Sequence, residues 1–356
     1  MNDTEINDKR NPSEFKGVSF SKFQKTKVKQ ELINCIASSK IESACYWTAE
    51  LICAGHFSDL WEIIITYVSR YIHLGNPKLP LYISLRMDNF KTMLSNGFVG
   101  NELRLRNNQK IRQLFSEIVT ILCLSKKKHS FTPIKITKAE EFNIANMASK
   151  LKAPSVNYAT DVFQKDDPNE LFIAINEFTY HLSKDSLNSL EACYWFEWIL
   201  EFENLCKKKK EMCICERRTF VKVDEKFQKE PIWLLWDILF KINSKKKSEI
   251  SNKIMKSIFE LFCIRYTSGS KKKRKYLIYF AISLITEKFN QNIKIIENKD
   301  VVDNVTKKIN LIYKEIKKNE IAPATDYLFT GIEKSNREKT FEKLETLNSI
   351  NTIIRN

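Results

Sequence analysis

The chain has 356 residues, with 59 Lys and Arg against 43 Asp and Glu, which gives a formal net charge of +16. Apolar residues make up 43% and aromatic residues 12%, enough for a hydrophobic core, and this excludes an intrinsically disordered protein. The 7 Gly and 8 Pro leave little material for the tight turns of an all-β fold or for the glycine-rich loops that cradle nucleotide phosphates.

Apolar residues recur at helical spacing through residues 26–125, after a polar segment of residues 1–25 that we predict to be flexible. Gly55 is placed to end one of these helices in a left-handed conformation. Ser58 or Asp59 would then cap the next helix. The pattern predicts a first helical bundle over residues 26–125.

One short sequence occurs twice. Ala-Cys-Tyr-Trp stands at 44–47 and again at 192–195, and Leu-Trp-Glu-Ile-Ile at 60–64 matches Leu-Trp-Asp-Ile-Leu at 235–239. Two matches in the same order, each with a tryptophan, predict an internal duplication of a helical unit. These tryptophans could stack nucleic-acid bases, but their apolar helical neighbours favour a place in the core, equivalent in both copies.

The remaining boundaries follow from composition. Residues 126–168 are basic and then contain prolines, so we predict a linker there. A second helical unit follows over 169–290, with a basic insertion at about 207–230, and a C-terminal helical extension over 291–356 includes a last helix near 337–354. The predicted fold is all-α, with two related helical-bundle halves and a C-terminal helical extension.

The stretch of residues 38–85 resembles the helical collar of clamp-loader subunits and related replication-associated AAA+ proteins. It has a short helix, Ala-x-Tyr-Trp on a second helix, a glycine, and a third helix that ends before an Asn-Pro turn. The chain departs from that family because it has no Gly-x-x-x-x-Gly-Lys-[Ser/Thr] motif. The resemblance therefore implies an oligomerisation or replication-accessory module without the motor. In composition the chain also resembles proteins of large DNA viruses of protists.

Four basic runs are the strongest functional signal. Lysines suit contact with backbone phosphates better than base reading, although cations at helix C-termini also complement the helix dipole. The candidate nucleic-acid-binding residues are Lys126, Lys127, Lys128, Lys207, Lys208, Lys209, Lys210, Lys245, Lys246, Lys247, Lys271, Lys272, Lys273, Arg274 and Lys275. We expect the run 271–275 to be exposed, so that its neutralisation would leave the fold intact.

The sequence offers little for catalysis or metal binding. Cys206, Cys213, Cys215 and His181 could be considered for zinc, but the tight pair is Cys-x-Cys and no fourth ligand is assigned, so no metal or cofactor is predicted. The four histidines have no nucleophile motif around them. The acidic pairs Glu140-Glu141 and Asp166-Asp167 lie in polar linkers, where carboxylates are ordinarily solvated. We expect a protein that is not an enzyme, although an active site assembled only in three dimensions stays open.

These observations predict a basic helical scaffold or accessory protein that associates with nucleic acid in replication, transcription or genome packaging. The alternative is a structural or assembly protein, such as a virion component, that binds acidic protein surfaces. An oligomer is compatible with either. The longest strongly apolar run, 276–286, is about half of the ~20 residues that a bilayer span needs, so no membrane association is expected. The nine cysteines and the acidic N-terminus predict an intracellular protein in a reducing compartment, cytoplasmic or nuclear, or in a virion.

Overall fold

A computed structural model describes residues 4–136 and 144–321, together with residues 142 and 340. Within these residues the chain is helical and has no β-strand, and an isolated antiparallel bridge joins Val18 and Gln24. The all-α fold class is therefore confirmed. The helix expected near 337–354 lies outside the described residues, apart from residue 340.

Five α-helices build the first half of the fold. They are α1 (Lys25–Ala37), α2 (Ile41–Cys53), α3 (Phe57–Tyr67), α4 (Leu79–Ser95) and α5 (Gln109–Leu124). Helices α1 and α2 form a hairpin, and α2 also packs on α5. Gly55 has φ +76, which is the left-handed conformation predicted for it. Helix α3 begins at Phe57, one residue before the predicted cap Ser58. The Phe57 side chain is buried, and its ring packs on Phe90 and Phe115.

The turn after α3 is tightly packed. Val68–Ile72 continues the chain as a π-helix and His73–Gly75 as a 3₁₀-helix. A Cβ atom at residue 75 would lie 2.2 Å from the backbone carbonyl oxygen of Lys126, so only glycine allows the segment after α5 to approach this closely. The backbone N–H of Lys128 donates to the carbonyl oxygen of Tyr71 at 2.9 Å.

The second half contains a hairpin and a central apolar helix. Its helices are α6 (Ile144–Lys150), α7 (Phe172–Leu182), α8 (Ser189–Lys209), α9 (Ile232–Lys245), α10 (Glu249–Cys263), α11 (Ser270–Lys273) and α12 (Lys275–Thr286). Helices α7 and α8 form the hairpin, and α12 packs against α8, α9 and α10. Helix α10 also packs on α4 and α12 on the π-helix, so the two halves share contacts. The basic insertion predicted from residue 207 begins inside α8, which continues to Lys209.

The last described helix, α13 (Lys299–Lys317), packs on α2 and α5 of the first half. Val302, Ile309, Tyr313 and Ile316 form its buried face. The guanidinium of Arg112 lies 3.9 Å from the centre of the Tyr313 ring. The segment predicted as a C-terminal extension therefore contributes to the core of the first half.

The N-terminal segment differs from the prediction of a flexible tail, because residues 4–24 pack on the first half. Ile6, Phe15 and Phe20 are buried. Arg10 forms an ion pair with Asp8 at 2.6 Å, and its guanidinium lies over both phenylalanine rings at 4.7 Å. The apolar side chains and this paired charge hold the segment against the bundle.

The two copies of the repeated sequence occupy similar positions along the chain, each on the second helix of a hairpin, α2 or α8. Their environments differ. Trp195 is fully buried, whereas Trp47 is only half-buried and packs against the exposed ring of Phe23. The expectation that both indoles are equally buried is wrong for Trp47. The internal duplication is not confirmed and stays a prediction.

Candidate functional site

Two of the four basic runs meet on the surface. The last turn of α8 carries Lys207 and Lys208, and the short helix α11 carries Lys272. These three lysines line one shallow pocket of about 320 Å³, together with Glu201 and Asn204. We call Lys207, Lys208 and Lys272 the lysine cluster. The remaining described residues of the two runs that are exposed are Lys209, Lys210 and Lys273.

A buried ion-pair network holds the two runs together. Lys271 is 2% exposed, and its Nζ lies 2.5 and 2.6 Å from the two carboxylate oxygens of Glu203 on α8. The same ammonium lies 2.9 Å from Oε2 of Glu230. Lys207 reaches Glu203 from the solvent side at 2.7 Å. Because Glu203 accepts from both lysines, it fixes α11 beside the end of α8 and so brings Lys272 close to Lys207.

The network is fully hydrogen-bonded around Glu230. The hydroxyl of Tyr266 donates to Oε2 of Glu230 at 2.7 Å, and the Ser268 hydroxyl donates to Oε1. Burial raises the pKa of the Glu230 carboxyl, but the Lys271 charge and these donors outweigh burial and hold the pKa below its usual value. Burial and Glu230 raise the pKa of Tyr266. The carboxylate is thus kept charged, as its pairing with Lys271 requires.

The prediction that the run 271–275 is an exposed patch is therefore wrong, because most of its residues make structural contacts. Arg274 is 5% exposed, with Nε 3.1 Å from Oε1 of Glu62 and Nη1 donating to the carbonyl oxygen of Phe262 at 3.0 Å. Lys275 forms an ion pair with Glu197 at 2.7 Å. Lys271, Arg274 and Lys275 hold helices together and cannot also meet phosphates, and neutralising the whole run would break buried pairs.

The other two runs contain helix-end caps. Lys127 donates to the carbonyl oxygen of Cys123 at 2.7 Å, near the end of α5, and Lys246 donates to the carbonyl oxygens of Leu284 and Ile285, near the end of α12. Burial lowers the pKa of both lysines. Cations at these positions complement the helix dipole. Their exposed neighbours Lys126, Lys128, Lys245 and Lys247 do not line the pocket of the lysine cluster.

A larger cleft, of about 830 Å³, opens on the other side of α11. Helices α3, α4 and α10 line it, together with the segment around Phe220. Trp61 and Phe90 are buried beneath it, and Phe220 and Phe259 are half-buried. Sequence reasoning did not predict this cleft, because its walls come from stretches that are far apart in the chain and share no motif.

Five of the six tryptophans are buried, including Trp198 and Trp233, and the half-buried Trp47 is the exception. The core interpretation of Trp61, Trp195 and Trp236 is thus confirmed. None of these three indoles is accessible enough to stack on a base.

The described residues include the cysteines and His181 that were considered for metal binding. No group of three or more His, Cys, Asp and Glu side chains there is placed to hold a metal ion. All nine cysteines are free thiols, and burial raises the pKa of Cys45, Cys123 and Cys213 to about 12. Nε2 of His181 lies 3.5 Å from Oε2 of Glu177.

Asp167 was expected to be solvated, but it is buried and forms a bidentate pair with Arg218, at 2.6 and 2.7 Å. The guanidinium of Arg218 is itself buried, so its charge needs the carboxylate partner. The other acidic pair, Glu140-Glu141, lies outside the described residues.

No family model, no curated protein and no solved structure matches this chain. Among the described helices, none combines the length and the apolar character needed to cross a bilayer.

Proposed function

We propose that this chain is a non-enzymatic helical scaffold or accessory protein that binds the phosphate backbone of nucleic acid through the lysine cluster. The observation that carries the proposal is the convergence of two basic runs, from α8 and α11, on one pocket. Clustered lysines attract a polyanion, and each phosphate they neutralise releases condensed counterions. A reducing intracellular compartment fits the nine free thiols. A role in replication rests on the resemblance of residues 38–85 to clamp-loader collars.

The buried network supports this proposal in physical terms. Glu203 and Glu230 neutralise Lys271 in the interior, whereas the side chain of Lys272 is exposed and adds positive charge to the surface. A phosphate placed between α8 and α11 would contact ammonium groups from two elements whose spacing the ion pairs hold fixed. Lysine ammonium groups act as point charges, so sequence preference should be weak.

The test is a salt titration of DNA and RNA binding by fluorescence anisotropy. The variant Lys207→Gln/Lys208→Gln/Lys272→Gln should reduce the log–log salt slope by roughly 0.9 for each duplex phosphate that it no longer neutralises. The matched control is Lys126→Gln/Lys128→Gln/Lys245→Gln, which removes the same charge at other exposed positions. We expect the control to keep most of the slope. Equal decreases in both variants would show that only net charge matters and would reject the lysine cluster as the site.

A second candidate is an assembly protein that binds acidic protein surfaces. Met212 is 83% exposed and Ile214 42% exposed, both just after the basic end of α8, and exposed apolar side chains beside charges are typical of protein contacts. Absence of nucleic-acid binding at about 50 mM salt would reject the first proposal and put this candidate in its place.

A further inference from the structure

The 830 Å³ cleft lies directly beside the lysine cluster. Lys272 lines the pocket of the lysine cluster, and its neighbour Lys273 lines the cleft, so the short helix α11 separates two adjoining depressions. The cleft volume lies within the range of ~300–1,000 Å³ that is typical of ligand sites. A chain-like ligand bound at the lysine cluster could therefore continue over α11 into the cleft.

Two aromatic rings are available in the cleft. Phe220 and Phe259 are half-buried, and their ring centroids are 5.6 Å apart at an interplanar angle of 65°. The Phe259 ring also packs against Trp236 and Phe240, with ring centroids 5.1 and 5.2 Å away. The two rings thus line the cleft as apolar side chains held by other aromatic residues.

The charge of the cleft favours an anion. Six basic and four acidic side chains line it. The pairs Glu62–Arg274 and Asp88–Lys91 each cancel one acid and one base, so the surplus is two basic groups. Lys222, Lys256 and Lys273 are exposed on the rim. The surplus of basic groups around half-buried aromatic rings matches a ligand that has both anionic groups and flat apolar faces.

We infer that the polyanion is a single-stranded nucleic acid, whose phosphates follow the lysine cluster and Lys273 while unstacked bases enter the cleft against Phe220 and Phe259. This inference rests on the proposed function. In a duplex the base faces are stacked on one another and cannot reach an aromatic side chain, whereas in a single strand they can. Stacking on phenylalanine tolerates any base, in keeping with weak sequence preference.

The experiment compares the affinities of single-stranded and duplex oligonucleotides of equal length and composition for the full chain and two variants. Phe220→Leu/Phe259→Leu removes the flat rings and keeps apolar side chains at both positions. The control, Phe163→Leu, changes a half-buried phenylalanine that does not line the cleft. We expect the double variant to bind single strands between about fivefold and a hundredfold more weakly, with duplex affinity unchanged. Thermal melting of both variants verifies that they are folded.

The possible results separate this inference from the function on which it rests. Equal affinity of the unchanged protein for single strands and duplex, or equal losses of affinity for both in the double variant, would overturn the inference and leave phosphate binding intact. A single-strand preference that the double variant retains would also overturn it, because the bases would then lie elsewhere. Failure of the unchanged protein to bind either oligonucleotide would reject both proposals.

Discussion

The basic runs at 271–275 and 126–128 look alike in sequence but are used differently. In the first, Lys271, Arg274 and Lys275 form ion pairs with carboxylates of other elements, and Lys271 is 2% exposed. In the second, the backbone makes the main contacts: Lys126 packs on Gly75, and Lys128 donates to Tyr71. A run of lysines therefore does not define one environment, because its side chains or its backbone can face the interior.

The two regions are stabilised by different interactions. Around residues 271–275, stability depends on buried opposite charges that stay matched. Around residues 126–128, stability depends on close packing against the turn that contains the π-helix. It also depends on buried groups beneath this turn that stay uncharged. Changes to charge and to pH should therefore affect the two regions differently.

The largest expected effect is that of Lys271→Met. The substitution leaves Glu203 and Glu230 buried without their main partner, and breaking a buried pair in this way costs about 3–5 kcal/mol. Lys272→Gln is the matched control, because the side chain at this next position of the run is exposed and its replacement should change the free energy of unfolding by less than about 0.5 kcal/mol. Urea unfolding measures both. Similar small values for the two variants would contradict the structural role of Lys271.

A smaller effect concerns His73, which lies under the 126–128 region. Its ring is fully buried, and Nε2 donates to the carbonyl oxygen of His129 at 2.8 Å. Burial lowers the pKa of His73 to about 4, and the His129 hydrogen bond offsets only part of this. The unfolded chain takes up this proton near pH 6.5, so protons favour the unfolded state between pH 6.5 and about 4.

The stability that neutral His73 contributes should thus be complete above pH 6.5 and lost as the pH falls to about 4, by roughly 3 kcal/mol. His73→Asn should flatten this part of the profile, because the asparagine side chain does not titrate in this range. Urea unfolding at pH 7, 5.5 and 4.5 measures the difference between the two proteins. Parallel profiles would show that His73 does not titrate in this window. The pH dependence would then be assigned to the half-buried His56, whose pKa is also lowered by burial.

The smallest effect is expected at the helix-end caps. Lys246→Gln removes a charge that donates to the last carbonyl oxygens of α12, and its loss should cost about 0.3–1 kcal/mol. Lys245 and Lys246 are both exposed, but Lys245→Gln leaves the bonds to α12 intact and should change the free energy of unfolding by less. Added salt should reduce the difference between the variants, since it screens the dipole interaction. A salt-independent difference would indicate a packing effect of the lysine side chain.

The sequence allowed the fold class to be predicted, because periodicity alone identifies long apolar helices such as α3, α9 and α12. It could not tell Lys271 from Lys272. Adjacent residues in a polar run differ only in what another element places beside them, here Glu203 and Glu230. The prediction of a flexible tail was wrong for a related reason: Ile6 and Phe15 are sparse in a polar stretch, and their burial depends on a surface that the first bundle provides.

The candidate site was predictable only in part. The basic runs were visible in the sequence, and two of them do meet at the lysine cluster. The cleft was not, because Phe220 and Phe259 follow no motif and Trp61 comes from a stretch far from both in the chain. The duplication signal pointed to equivalent tryptophans, yet Trp47 and Trp195 differ in burial since α2 and α8 have different neighbours.

The packing of α13 on α2 and α5 has a consequence for the order in which the protein is made. Ile309, Tyr313 and Ile316 cover the first half, but they leave the ribosome only after the whole second half. Such long-range contacts are slow to form. During synthesis the surface of α2 and α5 that will receive α13 is therefore exposed while α7 to α12 emerge. Folding of the first half thus begins first and is completed last. A nascent chain stalled before residue 299 should present an apolar surface to chaperones.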